Sequence, residues 1–314
     1  MNATTLPPNI RVFERGWLSS NNVLFIGPDD NALVDSGYVT HREQTLALVR
    51  HALAGAPLDR LVNTHLHSDH CGGNAFLQTA YPGLRTTIPA AEADAVSVWD
   101  EDVLSYRATG QQCDRFVFER VLQPGESIEL GGVRWDALGA PGHDPNSLIL
   151  YAPALRVLIS ADALWENGFG VIFPELVGES GFAEQRAVLA EIARLDVGLV
   201  VPGHGSPFAD VRGALARAAS RLDYLESDPK RNAWHALKVL VSFALMERRR
   251  LDVEEVAAMI DDAAYFREMS RRFFDQPSLE LATSAAQALV RAGAARFEGG
   301  VLLPANQPAA GDVQ

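Results

Sequence analysis

Apolar and polar positions alternate with a period near two along the first stretch of the chain. Ile10–Trp17 alternates loosely, Asn22–Gly27 is a denser apolar run, and Asn31–Gly37 closes on Asp35, Ser36 and Gly37. The turn Pro28-Asp29-Asp30 separates the second run from the third, which predicts an antiparallel start to a sheet. From His41 to Leu53 the spacing changes. Leu46, Val49 and Leu53 recur at helical intervals among polar neighbours, so an amphipathic helix is expected there, with His41 and His51 on its surface.

Short apolar segments then trade places with helical ones. Strands are expected at Arg60–Asn63 and Leu84–Ile88, and helices at Ala75–Ala80 and Ala90–Trp99. Asp100–Phe118 fits neither period, and helix with loop is expected. Four short strands follow at 126–130, 133–138, 147–151 and 156–160, parted by Gly131-Gly132 and Pro153. A helix at Phe182–Leu195, a strand at Gly198–Val201 and a helix at Asp210–Leu225 complete the series. That order predicts an α+β fold of two sheets sandwiched between outer helices, not one doubly wound parallel sheet.

The pattern shifts at Glu226-Ser227-Asp228-Pro229-Lys230, a charged, proline-containing link. It divides the chain into an expected domain at 1–227 and a helical one at 228–314. In the second, Arg231–Arg249, Val253–Ile260 and Leu279–Arg291 have helical spacing, and Ala295–Leu303 predicts two short strands around Gly299-Gly300. Helices followed by a small hairpin is the layout of a winged helix. The end, Ala305–Gln314, is expected to fray.

With 47% hydrophobic and 21% charged residues, the composition is that of a soluble globular protein. No apolar run approaches the ~20 residues that span a bilayer. The first residues carry no basic, then apolar, leader, and Cys71 and Cys113 make no disulfide framework, so the cytoplasm is the expected compartment. The net charge of −13 is uneven: 14 Lys/Arg face 15 Asp/Glu from Phe208 onward, against 13 and 25 before it. An acidic chain of this kind argues against a nucleic-acid surface spread over the whole protein.

Chemistry concentrates in Thr64-His65-Leu66-His67-Ser68-Asp69-His70-Cys71-Gly72-Gly73, directly after a predicted strand. Neutral imidazole and carboxylate are the ligands that Zn²⁺ and similar ions prefer, and here they are too dense for ordinary core packing. Three later segments each end an apolar run on another such side chain: His143 after Pro141-Gly142, Asp162 after Leu158–Ala161, and His204 between Gly203 and Gly205. Each alone is weak; together they can meet at one edge of a sandwich. His235 in its helical run is expected to be packed or at the surface. Cys71 is read as a small packed residue, with oxidation the lesser alternative, and Arg248-Arg249-Arg250 as a solvated helix end.

Taken together, Thr-His-x-His-x-Asp-His-x-Gly-Gly, Pro-Gly-His, a strand-terminal Asp and Pro-Gly-His-Gly resemble the metallo-β-lactamase superfamily over roughly residues 10–210. The resemblance implies a four-layer αβ/βα sandwich and one metal held by His65, His67 and His143. It implies a second metal held by Asp69, His70 and His204, with Asp162 bridging the two and Asp35 supporting a ligand imidazole from behind. Two divalent ions are then expected, Zn²⁺ first, with Fe or Mn suited to the same set. The pattern is nearer to glyoxalase II-like thioesterases and lactonases than to the β-lactamases themselves.

The chemistry implied is hydrolysis of a small ester, thioester or lactone by a metal-bound hydroxide, with Asp69 and Asp162 as the catalytic carboxylates. Trp165, Phe169 and Phe173, in the glycine-hinged loop after Asp162, are candidates to line the substrate pocket, with packing of the loop as the alternative. Two other activities fit parts of the pattern. One is a metal-dependent endonuclease or RNase gripping RNA or DNA with the winged-helix-like tail; the near-neutral tail speaks against it, although Arg248, Arg249, Arg250, Arg267, Arg271 and Arg272 could form a local stripe. The other is a mononuclear iron persulfide dioxygenase-like enzyme, against which the complete second ligand set counts. The expected partner is a small molecule, without a membrane; a winged-helix unit can equally serve as a lid or a homodimer contact.

Overall fold

The computed structural model describes residues 5–305, so the expected frayed end lies, apart from Ala305, outside the described residues. Six strands form the first sheet: β1 (Ile10–Phe13), β2 (Asn22–Ile26), β3 (Asn31–Val34), β4 (Arg60–Val62), β5 (Arg85–Pro89) and β6 (Arg120–Leu122), in that order. It begins antiparallel and turns parallel from β3 onward. Five strands form the second: β7 (Ser127–Leu130), β8 (Val133–Gly139), β9 (Leu148–Ala152), β10 (Val157–Ala161) and β11 (Leu199–Pro202), in the order β11-β10-β9-β8-β7. Only β10 and β11 pair in parallel within it.

The two-residue period of a strand sends neighbours to opposite faces, and this builds the layers. On β2, Val23 and Phe25 face the second sheet and meet Trp135, Leu150 and Val157, while Leu24 faces outward. Outside the first sheet Leu24, Leu33 and Leu61 pack on Leu46 and Val49 of α1 (Arg42–Ala52). Outside the second, Ile149, Leu158 and Val200 pack on the later helices α7 (Phe182–Ile192) and α8 (Val211–Glu226). The result is a helix–sheet–sheet–helix sandwich. Trp135 is its largest fully buried side chain, set edge-on to Phe25 at 5.4 Å, and truncating such a residue costs about 3–5 kcal/mol.

Short helical turns sit between the sheets' strands. They are α2 (Ser68–Cys71), α3 (Asn74–Ala80), α4 (Ala93–Val98), α5 (Tyr106–Thr109) and α6 (Pro174–Val177). The expected strand over residues 10–17 stops at Phe13, because Arg15 turns inward to Asn22 and Thr45 and its N–H donates to Asn21. That frees Trp17 from the sheet. Residues 100–118 contain only the single turn α5, and β6 follows as a three-residue edge strand too short for any period to reveal.

The second helical group starts one link after α8. Asp228 caps α9 (Pro229–Arg248) with proline at its first turn, as favoured helix starts require. α10 (Val253–Asp262) opens on a capping box between Asp252 and Glu255. Then come α11 (Ala264–Phe273), α12 (Ser278–Arg291) and the hairpin β12 (Ala295–Glu298)–β13 (Val301–Pro304). α11 is an addition to the helices expected above, although Phe266, Met269 and Phe273 recur at helical intervals and pack with Tyr265 on the core. Leu237, Val241, Val256, Phe266, Leu281 and Leu302 share one cluster, which also takes in Val171 and Leu176 of the sandwich. The helical group therefore lies against the loop that follows Asp162. No helix of the described residues is long and apolar enough to cross a membrane.

Candidate metal centre

Strand ends supply the site. β4 delivers His65 and His67, β8 leads to His143, β10 to Asp162 and β11 to His204. Two residues at these ends, Asp35 (φ 57°) and Ala161 (φ 44°), hold left-handed backbone without being glycine, a strain of about 1–3 kcal/mol each that the surroundings must sustain. At Asp35 the sustaining contacts are visible. Its carboxylate accepts from the Thr64 N–H (2.9 Å), the Thr64 hydroxyl (2.8 Å) and His70 Nδ1 (2.8 Å). A side chain at Gly203 would collide with the Asp162 carboxylate, and one at Gly170 with the His143 ring. Glycine is what lets both walls close on the centre.

Two groups of donors result. His65 Nε2 lies 3.1 Å from His67 Nδ1, which lies 2.8 Å from His143 Nε2. Nitrogens around one tetrahedral ion, at bonds of about 2.0–2.1 Å, stand about 3.3 Å apart, so the spacing fits a shared cation. In the second group His204 Nε2 is 3.0 Å from Asp69 Oδ2, and His70 Nε2 is 4.0 Å from the same oxygen. Asp162 stands between: Oδ2 is 3.4 Å from His143 Nε2, while Oδ1 is 3.5 Å from His70 Nε2 and 3.9 Å from His204 Nε2. The ligand atoms of each group fall within 4.8 Å of one another.

Hydrogen bonds on the far side of the rings fix which nitrogen faces inward. His143 Nδ1 meets the Val171 carbonyl at 2.6 Å, and His70 Nδ1 meets Asp35. His70 Nε2 is then buried without a hydrogen-bond partner, aimed at Asp69 and Asp162. An orphaned imidazole nitrogen between carboxylates is what a metal position offers once the ligands are assembled. Burial and then the neighbouring imidazoles push His65 well below the ordinary histidine range; burial is the main force holding His67 and His143 to about 4. The first group is therefore neutral at physiological pH, the form that coordinates. His70 goes the other way: burial opposes its charge, but Asp162, Asp35 and Asp69 outweigh it. Asp162 is held well below the carboxylate range by His70 and His204, against the push of burial.

A cavity of about 460 Å³ opens over both groups, within the size range of small-molecule sites. Trp165 and Phe173 line it, and the Trp165 indole also donates to Asp162 Oδ1 at 3.2 Å. Phe169 does not line it: its ring is fully buried in the outer core, clustered with Leu164 and Ile172 beneath the Arg221 guanidinium, where so large an apolar surface is out of water. Sequence patterning missed several wall residues. Trp17, at 59% exposure, stacks parallel on His204 with centroids 5.4 Å apart. Phe243 and Tyr265 arrive from the helical group, and Tyr265 packs edge-on to Phe173. Glu92 and Asp144 add carboxylates, both raised in pKa chiefly by burial. No local signal marks these; only the Gly16-Trp17 pair beside a strand end could have hinted at the first.

Other histidines and the arginines stand apart. His51 is exposed on α1, His41 precedes that helix and bonds Ser19, and His235 accepts from Arg221 at 2.6 Å on the cavity wall. Arg248–Arg250 are exposed where α9 ends. Arg271 pairs with Glu268, Arg267 bonds the Asp261 and Asp262 carbonyls, and Arg272 reaches the Val177 carbonyl.

Comparison with known proteins agrees with this architecture. A hydroxyacylglutathione hydrolase of Synechococcus sp. (strain JA-3-3Ab) is 32% identical over 119 residues, 38% of this chain and 40% of that protein. An acyl-coenzyme A thioesterase of Homo sapiens is 26% identical over 230 residues, 68% of this chain and 77% of its own length. The chain thus spans well under two thirds of the hydroxyacylglutathione hydrolase it matches. Among solved structures, a beta-lactamase domain protein from Burkholderia ambifaria superposes with a TM-score of 0.58 at 20% identity, covering 96% of this chain and 94% of that one. The family model described as the metallo-beta-lactamase superfamily matches residues 15–204. On that match, which covers more than half of its length, this chain belongs to the metallo-beta-lactamase superfamily.

Proposed function

We propose that this protein hydrolyses a small acyl compound, a thioester first and an ester or lactone by the same chemistry, using two divalent metal ions. His65, His67 and His143 hold one ion, and Asp69, His70 and His204 the other. Asp162 serves both. The observation that carries the reading is the split of the Asp162 carboxylate, whose two oxygens turn to opposite donor groups. Similarity to a hydroxyacylglutathione hydrolase and an acyl-coenzyme A thioesterase supports thioesters as the substrate class.

When bound there, divalent ions, Zn²⁺ first, would supply Lewis acidity for activating water and an acyl oxygen. The chain's own groups do the rest. Val171 and Asp35 fix the rings of His143 and His70, so that the donor atoms need no reorganisation. Asp69 lines the cavity beside His204, and its carboxylate is the group suited to take the proton released as water adds to the acyl carbon. Phe173, Phe243 and Tyr265 give an apolar wall that seats the acyl chain and keeps bulk water off.

We read the chain from Asp228 onward, as far as it is described, as a winged-helix-like domain whose role here is to wall the cavity. Its arginines at 267, 271 and 272 already bond this chain's own carbonyls and carboxylates, which weighs against a grip on RNA. The test is metal analysis of the purified protein with a panel of thioester, lactone, phosphodiester and RNA substrates. Two equivalents of metal with thioester turnover is the expected result. RNA cleavage that weakens with salt, or one iron with oxygen uptake, would replace this reading with another.

A further inference from the structure

Two sulfurs that the proposed chemistry leaves unused lie side by side behind the metal-site turn. Cys71 ends α2, fully buried, its thiol in contact with the Leu66 carbonyl (3.4 Å) and the Tyr106 hydroxyl (3.1 Å). Cys113, half-buried and 42 positions further along the chain, brings its Sγ to 3.7 Å from that of Cys71. A disulfide needs about 2.05 Å between sulfurs, so about 1.7 Å of approach closes the bond. The segment carrying Cys113 can supply it. Apart from α5 it has no regular structure, and Trp99, Ser105 and Gly110 all hold left-handed backbone. Side chains hold it to the body: Gln111 accepts from Ser68, and the Gln112 N–H donates to the Tyr38 hydroxyl. Its residues Leu104, Thr109 and Gln111 line the cavity, whereas Cys71 directly follows His70.

We infer that Cys71 and Cys113 are a reversible disulfide pair, closed by a peroxide, that ties the cavity wall to the turn bearing Asp69 and His70. Cys113, the sulfur with access to solvent, attacks one peroxide oxygen as thiolate; the O–O bond breaks and hydroxide leaves, taking a proton to become water. The Cys113 sulfenic acid so formed is attacked by the Cys71 sulfur. The S–O bond breaks, and a second water leaves with the Cys71 proton. Two thiols have lost two electrons and two hydrogens, and one peroxide has become two waters. A thiol reductant reverses the bond by exchange. The inference uses neither metal nor substrate, so it stands or falls apart from the hydrolase reading.

The test uses the full chain, first reduced and freed of reductant, then treated with hydrogen peroxide, digested without reduction and read by mass spectrometry. The expected product is a Cys71–Cys113 linked peptide pair, about 2 Da lighter than the two free peptides together. Both thiols should vanish from a titration in denaturant and both return with dithiothreitol. Cys113→Ser should give no linked pair and keep its Cys71 thiol through the same treatment. Because Cys71 is buried, the comparison of native protein with Cys113→Ser decides the matter without a Cys71 variant. Peroxide-treated native protein with both thiols still free, or with each carried separately to sulfinic or sulfonic acid and no link, would overturn the inference.

Discussion

The two donor groups of the centre are built on opposite electrostatic plans. His65, His67 and His143 are three neutral imidazoles whose pKa values burial forces down; the nearest carboxylate oxygens are Asp162 Oδ2, 3.4 Å from His143 Nε2, and Asp144 Oδ2, 3.5 Å from His67 Nε2. Asp69, His70 and His204 sit among carboxylates, with Asp162 Oδ1 in front and Asp35 behind His70. In the first group the protein keeps protons off by desolvation. In the second it gathers negative charge that a proton on His70 balances until a cation does. Nitrogen-rich positions favour Zn²⁺, and added carboxylate oxygen widens acceptance to harder ions such as Mn²⁺. The two proposed positions would therefore differ in the ions they favour.

The harshest way to break the comparison is Asp162→Ala, because that side chain serves both groups. Metal content should fall at both positions, and kcat should drop by about 10²–10³-fold, the scale of losing a principal electrostatic group. Next, His143→Ala and His204→Ala should each remove one equivalent of metal, from opposite positions, as read by elemental analysis. Loss of both from either variant would show that the groups are a single unit. Asp35→Asn acts more gently: a chelator titration should reveal about 10–100-fold weaker binding at the second position, with the first spared.

A pH experiment sharpens the contrast by sign. In metal-free protein His67, at about 4 against an ordinary 6.5, refuses a proton that the unfolded chain accepts. Stability therefore falls as pH drops from about 6.5 towards 4, and His67→Asn should flatten that slope in denaturant titrations. His70 is raised, so its contribution is fully present below 6.5 and lost as pH rises through its folded value. His70→Asn should change the slope in the opposite sense. Smallest of all, Phe173→Ala should raise KM by about 2–12-fold, the worth of an aromatic contact of about 0.5–1.5 kcal/mol. Phe169→Ala should instead cost stability, about 3–5 kcal/mol, since its ring is core.

What could be read in the chain, and what could not, follows from the range of the forces involved. The sandwich was legible because alternation on β2 and β3 and the helical spacing of Leu46 and Val49 record burial on two faces. The candidate donors stood out because His65, His67, His143, Asp162 and His204 follow strand ends, which share an edge, with Asp69 and His70 in the short helix α2 beside them. β6 was not legible, since three residues leave no period, whereas α11 could have been read from the helical spacing of Phe266, Met269 and Phe273. Nor was the cavity. Tyr265 and Phe243 reach it only through packing of the helical group, and of two phenylalanines four positions apart Phe169 joins the outer core while Phe173 lines the cavity. The nearness of Cys113 to Cys71 is of the same kind, set by an irregular segment that no local pattern describes.

The central claim is that seven side chains make two metal positions joined by Asp162. Elemental analysis of native protein beside His143→Ala and Asp162→Ala tests it most directly. Two equivalents of divalent metal per native chain, one in His143→Ala and less than one in Asp162→Ala, is the result expected. A native content of one equivalent that survives His143→Ala would contradict it.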